Sequence, residues 1–141
     1  MFKKNNGVAG LILCLVAITG CGTSLTDSTV TGVVRIDGGP APEGVTIMFQ
    51  PVKPGGSPSY GKTDSQGRYE LQYNASVKGA NSGENVVSFG VEYMEDEEGV
   101  PFLPEPLKGI KIPAELQENS SLRKNVESGR NEIDLEISTA K

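Results

Sequence analysis

Four consecutive acids, Glu95-Asp96-Glu97-Glu98, are the densest set of potential ligands in this 141-residue chain. Several carboxylate oxygens together are what a hard cation such as Ca²⁺ selects. Adjacent residues of an extended chain point to alternate sides, however, and the Asp-x-Asp-x-Asp-Gly spacing of a calcium loop is absent. A solvated charged loop is therefore expected; Glu95, Asp96, Glu97 and Glu98 stand as weak metal candidates, and no metal is assigned. Tyr60, Tyr69, Tyr73 and Tyr93 combine an apolar face with a hydroxyl and could form a platform for sugar rings. Tyr69, Tyr73 and Tyr93 fall on core-facing phases, which leaves Tyr60 as the exposed one. No Gly-x-Ser-x-Gly or Ser-x-x-Lys pattern activates a hydroxyl. Histidine is absent altogether, and with it the commonest general base and transition-metal ligand. The expectation is a protein that is not an enzyme, with no catalytic residue and no cofactor.

One residue does carry assignable chemistry. Lys3 and Lys4 precede an apolar run, Val8–Ile18, which is followed by Thr19, Gly20 and Cys21. Eleven helical residues span roughly 16 Å, too short for a bilayer that needs about 20 residues, so residues 1–20 read as a signal peptide. Ile18-Thr19-Gly20-Cys21 resembles the bacterial lipobox. That resemblance implies cleavage between Gly20 and Cys21 and lipidation of Cys21 through a thioether to diacylglycerol. Cys14 would leave with the signal, so the mature chain would have one Cys and no internal disulfide. Stable anchoring takes two acyl chains or more. Residues 21–28 are small and polar, a short tether that reaches about 25 Å at most. The expected location is the bacterial envelope, attached to a membrane, inner or outer.

Composition narrows the partners. Loss of Lys3 and Lys4 would leave 11 basic residues against 18 acidic ones, a net charge of −7. Nucleic acid and anionic lipid headgroups are poor electrostatic matches for such a domain. Membrane contact is expected through the anchor alone, and an envelope protein or glycan remains a possible partner.

The rest of the chain must position whatever function there is. Hydrophobic residues make up 36%, with 18 Gly, 9 Pro and no Trp, a mixture suited to short strands and turns. Period-two alternation runs through Val30–Ile36, Val45–Phe49, Glu84–Tyr93 and Asn131–Ser138, with a shorter strand at Leu122–Val126. Gly61–Leu71 reads as a hairpin whose turn is closed by Asp64 and Gly67, structural residues: an Asp carboxylate can accept backbone N–H groups and Gly tolerates positive φ. Glu127–Arg130 reads as a second hairpin turn. Residues 50–59 and 95–106 are breaker-rich loops. About seven strands over residues 29–138 predict an all-β fold, an antiparallel β-sandwich.

Three stretches in order resemble a known group: Val30–Val34 with Asp37-Gly38 and Gly44–Pro51; Gly61–Leu71; and Ile112-Pro113-Ala114 through Glu127–Leu135. The chain is similar to the carboxypeptidase-regulatory-like (transthyretin-like) domains of short bacterial lipoproteins. The resemblance implies a seven-stranded prealbumin-like or immunoglobulin-like sandwich. Residues 95–106 are longer and more acidic than that pattern. The function expected is a non-catalytic structural or binding module of the envelope. The alternative is a carbohydrate- or peptide-binding accessory domain using the 50–59 and 95–106 loops.

Overall fold

The computed structural model describes residues 26–139, so Gly20, Cys21, the signal segment and most of the tether lie outside the described residues. Within them the fold is an all-β sandwich, as the alternation predicts, with eleven strands in place of about seven: β1 Ser28–Ile36, β2 Gly39–Pro40, β3 Val45–Pro51, β4 Ser59–Lys62, β5 Arg68–Glu70, β6 Gly83–Val91, β7 Met94–Glu95, β8 Pro101–Phe102, β9 Arg123–Val126, β10 Gly129–Glu132 and β11 Leu135–Ile137. Nine of them form the two sheets of the sandwich, and β7 and β8 pair as a separate ribbon. No helix among the described residues is long and apolar enough to cross a membrane.

One sheet is built around β1. Along one side β1 pairs antiparallel with β5 and β2; along the other it pairs parallel with β10 and then β11. The second sheet is antiparallel, in the order β4-β3-β6-β9. Parallel pairing needs a long crossover between partners, and here nearly the whole domain forms it, since β1 opens the fold and β10 and β11 close it.

The core lies between the sheets. Val30, Val34, Tyr69, Leu71, Leu135 and Ile137 face Val45, Ile47, Phe49, Val87, Phe89 and Val126, all buried. Alternation in β1, β3 and β6 accounts for most of these positions, since every second residue of a strand faces the same side.

Three local expectations change. The arms of the Gly61–Leu71 hairpin part into different sheets: β4 pairs with β3, β5 with β1. They meet only at the tip, where Asp64 N–H donates to Arg68 O at 2.8 Å, and at the base, where Tyr60 and Gln72 exchange backbone hydrogen bonds of 2.9 and 2.7 Å. The stretch at Glu127–Arg130 is likewise a crossing from one sheet to the other, because β9 pairs with β6 and β10 with β1. Finally, the run 131–138 is broken at Ile133 and Asp134. The Asp134 carboxylate takes the Val33 N–H at 2.9 Å, and β11 resumes the pairing one step beyond.

Strand directions define two ends. At the base lie Asp27, the loop after Pro51, the 79–82 turn and the 127–128 crossing; at the top lie Asp37, Gly44, the Asp64–Gly67 turn, the exit from Val91 and Thr139. Asp27 ties the base together, its carboxylate accepting from Ser82 Oγ at 2.7 Å and Ser128 Oγ at 2.8 Å. Those two hydroxyls, Ser82 first, hold its carboxyl below the usual range.

Candidate functional site

A concavity that gathers two of the candidate tyrosines, Tyr60 and Tyr93, lies on the outer face of the second sheet. Residues 92–122 leave the top at Val91 and return to β9, crossing that face on the way. Between this excursion and the sheet runs a groove of about 610 Å³, floored by Thr46, Met48 and Ser88 and walled by Tyr93, Ile112 and Gln117. Phase explains the floor: β3 turns Val45, Ile47 and Phe49 to the core, so Thr46 and Met48 face outward. Gly90 keeps the floor low, since a Cβ there would come within 2.8 Å of Thr46 Oγ1.

Tyr60 stands at the rim. A second depression, about 680 Å³, lies on its other side, with Gln72, Tyr73, Lys62 and Glu92. Lys62 Nζ and Glu92 Oε2 are 3.0 Å apart, both half exposed; an ion pair in such a setting contributes about 0–1 kcal/mol. Tyr60 is 54% exposed, as its loop neighbourhood predicts, and Tyr93 is 61% exposed, contrary to its core-facing phase. The reason is that β6 stops at Val91. Glu92 N–H donates to Gly44 O, the chain leaves the sheet, and the alternation no longer sets the direction of residue 93. Tyr73 is only half-buried for a similar reason, its N–H turning to Val77 O at 2.8 Å in the turn that follows Leu71.

The other candidates are dispersed. Asp64 and Gly67 form the top turn: Asp64 Oδ1 accepts from Gln66 N–H at 2.8 Å and Arg68 N–H at 3.0 Å. Gly67 has φ 77° and lies so close to Val34 O that a Cβ would come within 2.6 Å of it. Both are fully accounted for by the backbone they hold. Glu95–Glu98 form the exposed tip of the β7–β8 ribbon, where Asp96 Oδ1 accepts from Glu98 and Val100 N–H. Among the described residues no three acidic side chains converge as a metal site would require. The loops 50–59 and 95–106 do not join in one site. β3 and β6 are antiparallel, with Pro51 opposite Asn85 and Val45 opposite Val91, so the first loop leaves the base and the second leaves the top.

Sequence reasoning singled out Tyr60 but missed the floor and the far wall. Thr46, Met48 and Ser88 were readable as outward phases, Met48 being the unusual one. Ile112 and Gln117 carried no periodic signal, since the excursion is irregular apart from 3₁₀ turns at Glu105–Leu107 and Ala114–Leu116.

No family model and no curated protein matches the chain. Among solved structures, a 9R-lipoxygenase from Cyanothece PCC8801 overlaps it at 15% identity and a TM-score of 0.36, over 79% of this chain and 16% of that one. An overlap so loose carries nothing about fold or activity.

Proposed function

We propose that the chain is a non-catalytic binding or structural module of the bacterial envelope, a domain of the carboxypeptidase-regulatory-like kind held at a membrane by acyl chains on Cys21. The observation that carries this reading is the Ile18-Thr19-Gly20-Cys21 sequence at the end of an apolar run too short to span a bilayer. A lone mature Cys in that position is explained by acylation and by little else. The short tether and the entry of the chain at the base of the sandwich are compatible with it. Two exposed tyrosine rings on one groove, Tyr60 and Tyr93, support a binding role. Cys21→Ser is expected to move the protein from the membrane to the soluble fraction of expressing cells. Retention of that variant in washed membranes would refute the anchor.

A further inference from the structure

We propose that the paired depressions flanking Tyr60 bind a neutral glycan, a β-linked chain of hexose or N-acetylhexosamine units laid across the outer face of β4, β3 and β6. The inference rests on surface chemistry and is independent of the anchor at Cys21.

Tyrosine spends apolar area when exposed, and two rings more than half exposed on one groove are unused by the core. Sugars with equatorial substituents present flat C–H faces that such rings can cover, with the phenol oxygens left to bond hydroxyls. Polar groups that suit a polyol line both depressions: Thr46 and the Gln117 side-chain oxygen in one, Gln72 and the Asn74 side-chain nitrogen in the other. Gln117 Nε2 already donates to Ile112 O, and Asn74 Oδ1 already accepts from the Ser76 and Val77 N–H groups. At about 610 and 680 Å³ the two depressions match ligand-sized sites of roughly 300–1,000 Å³. Both include Tyr60 and Thr46, so an extended chain can continue from one to the other across the Tyr60 ring.

Charge and hydrogen bonding select against the obvious competitors. Glu118 lines one depression and Glu92 and Glu70 the other, against Lys62 alone; an anionic polymer would meet repulsion. A peptide that docks by strand addition needs a free sheet edge. β4 is such an edge, but the Tyr60 N–H and C=O beside the groove are already bonded to Gln72. The groove therefore offers side chains, without a free backbone ladder at its centre.

The test uses the purified full chain in dodecylphosphocholine, a detergent with no sugar headgroup, followed by NMR of the tyrosine rings. Titration with chitotetraose or cellotetraose is expected to shift the Tyr60 and Tyr93 ring signals and to leave buried Tyr69 in place. Tyr60→Ala and Tyr93→Ala should each weaken binding at least about tenfold with an unchanged melting temperature, because neither ring is part of the core. Polygalacturonate should cause no shift. The proposal is overturned if neither neutral oligosaccharide shifts the rings at saturating solubility, if both variants bind as the parent does, or if polygalacturonate binds equally well.

Discussion

Tyr69 shows how one side chain can tie three strands. It pairs with Gly32 across β1 and β5, and its ring passes over Gly32 so that the phenol donates to Ile133 O at 2.6 Å, at the break between β10 and β11. A Cβ at Gly32 would collide with that same carbonyl and crowd the ring. The glycine is thus required by close approach, since its φ is ordinary. Burial, with the Asp134 carboxylate adding to it, pushes the phenol well above its usual pKa. The sign follows from linkage: the folded state holds this proton more tightly than the unfolded chain. Its contribution is complete below about pH 10, the ordinary phenol value, and is lost as pH rises beyond it. Tyr69→Phe should cost about 1–3 kcal/mol at neutral pH through the lost buried hydrogen bond. It should also flatten the fall in stability above pH 10, measured by urea unfolding across pH. An equally steep alkaline fall in the variant would show that another group is responsible. The core phase of Tyr69 was legible from alternation with Arg68 and Glu70. Its reach to Ile133 was not, because that contact depends on a strand break 64 residues away that a local pattern does not encode.

At the level of elements, alternation served where a strand is long and sits on a packed sheet. β1, β3 and β6 were readable for that reason. Pairing was harder, because adjacent strands in sequence do not have to share a sheet: the β4–β5 and β9–β10 connections both cross the sandwich while looking like hairpins. Turn chemistry at Asp64 and Gly67 fixes the bend and is neutral about which strand each arm then meets. The excursion of residues 92–122 was least legible, and Leu107 is its clearest case. Set among Pro104, Glu105, Pro106 and Lys108, it has no periodic company, yet it is 1% exposed and joins the core cluster. The 3₁₀ turn Glu105–Leu107 lowers it over Gly44, where a Cβ would come within 2.8 Å of Leu107 Cδ1. Leu107 therefore closes the top of the sandwich and fastens the wall of the groove to it. Leu107→Ala is expected to cost about 2–5 kcal/mol, the range for a leucine deleted from a packed interior, in a chemical denaturation experiment. A change below about 0.5 kcal/mol, typical of an exposed loop residue, would show that the excursion is not fastened there.

For the whole molecule, the decisive geometry is that the chain enters at the base. Asp27 immediately precedes the first strand, which begins there at Ser28, and the Lys53–Gly56 turn lines a depression that includes Asp27 itself. If the chain is held at Cys21, a tether of at most about 25 Å keeps this end next to the lipid. The loop at 50–59 then faces the membrane, while the β7–β8 tip at Glu95–Glu98 points away from it. Net negative charge opposes flat adsorption onto anionic lipid, which favours standing on the base over lying on a side. That arrangement would leave the Tyr60 groove, on the side of the sandwich, open to a polymer running parallel to the surface. Orientation can be read with single cysteines, because Cys21 would be blocked by acylation and Cys14 removed. In vesicles carrying a lipid-borne quencher, a fluorophore on Lys53→Cys is expected to lose several-fold more emission than one on Glu97→Cys. Both positions are exposed, so labelling should leave the fold intact. Equal quenching would mean that the domain tumbles on its tether, and stronger quenching at residue 97 would place the acidic tip at the membrane; either result would reject a base-down module.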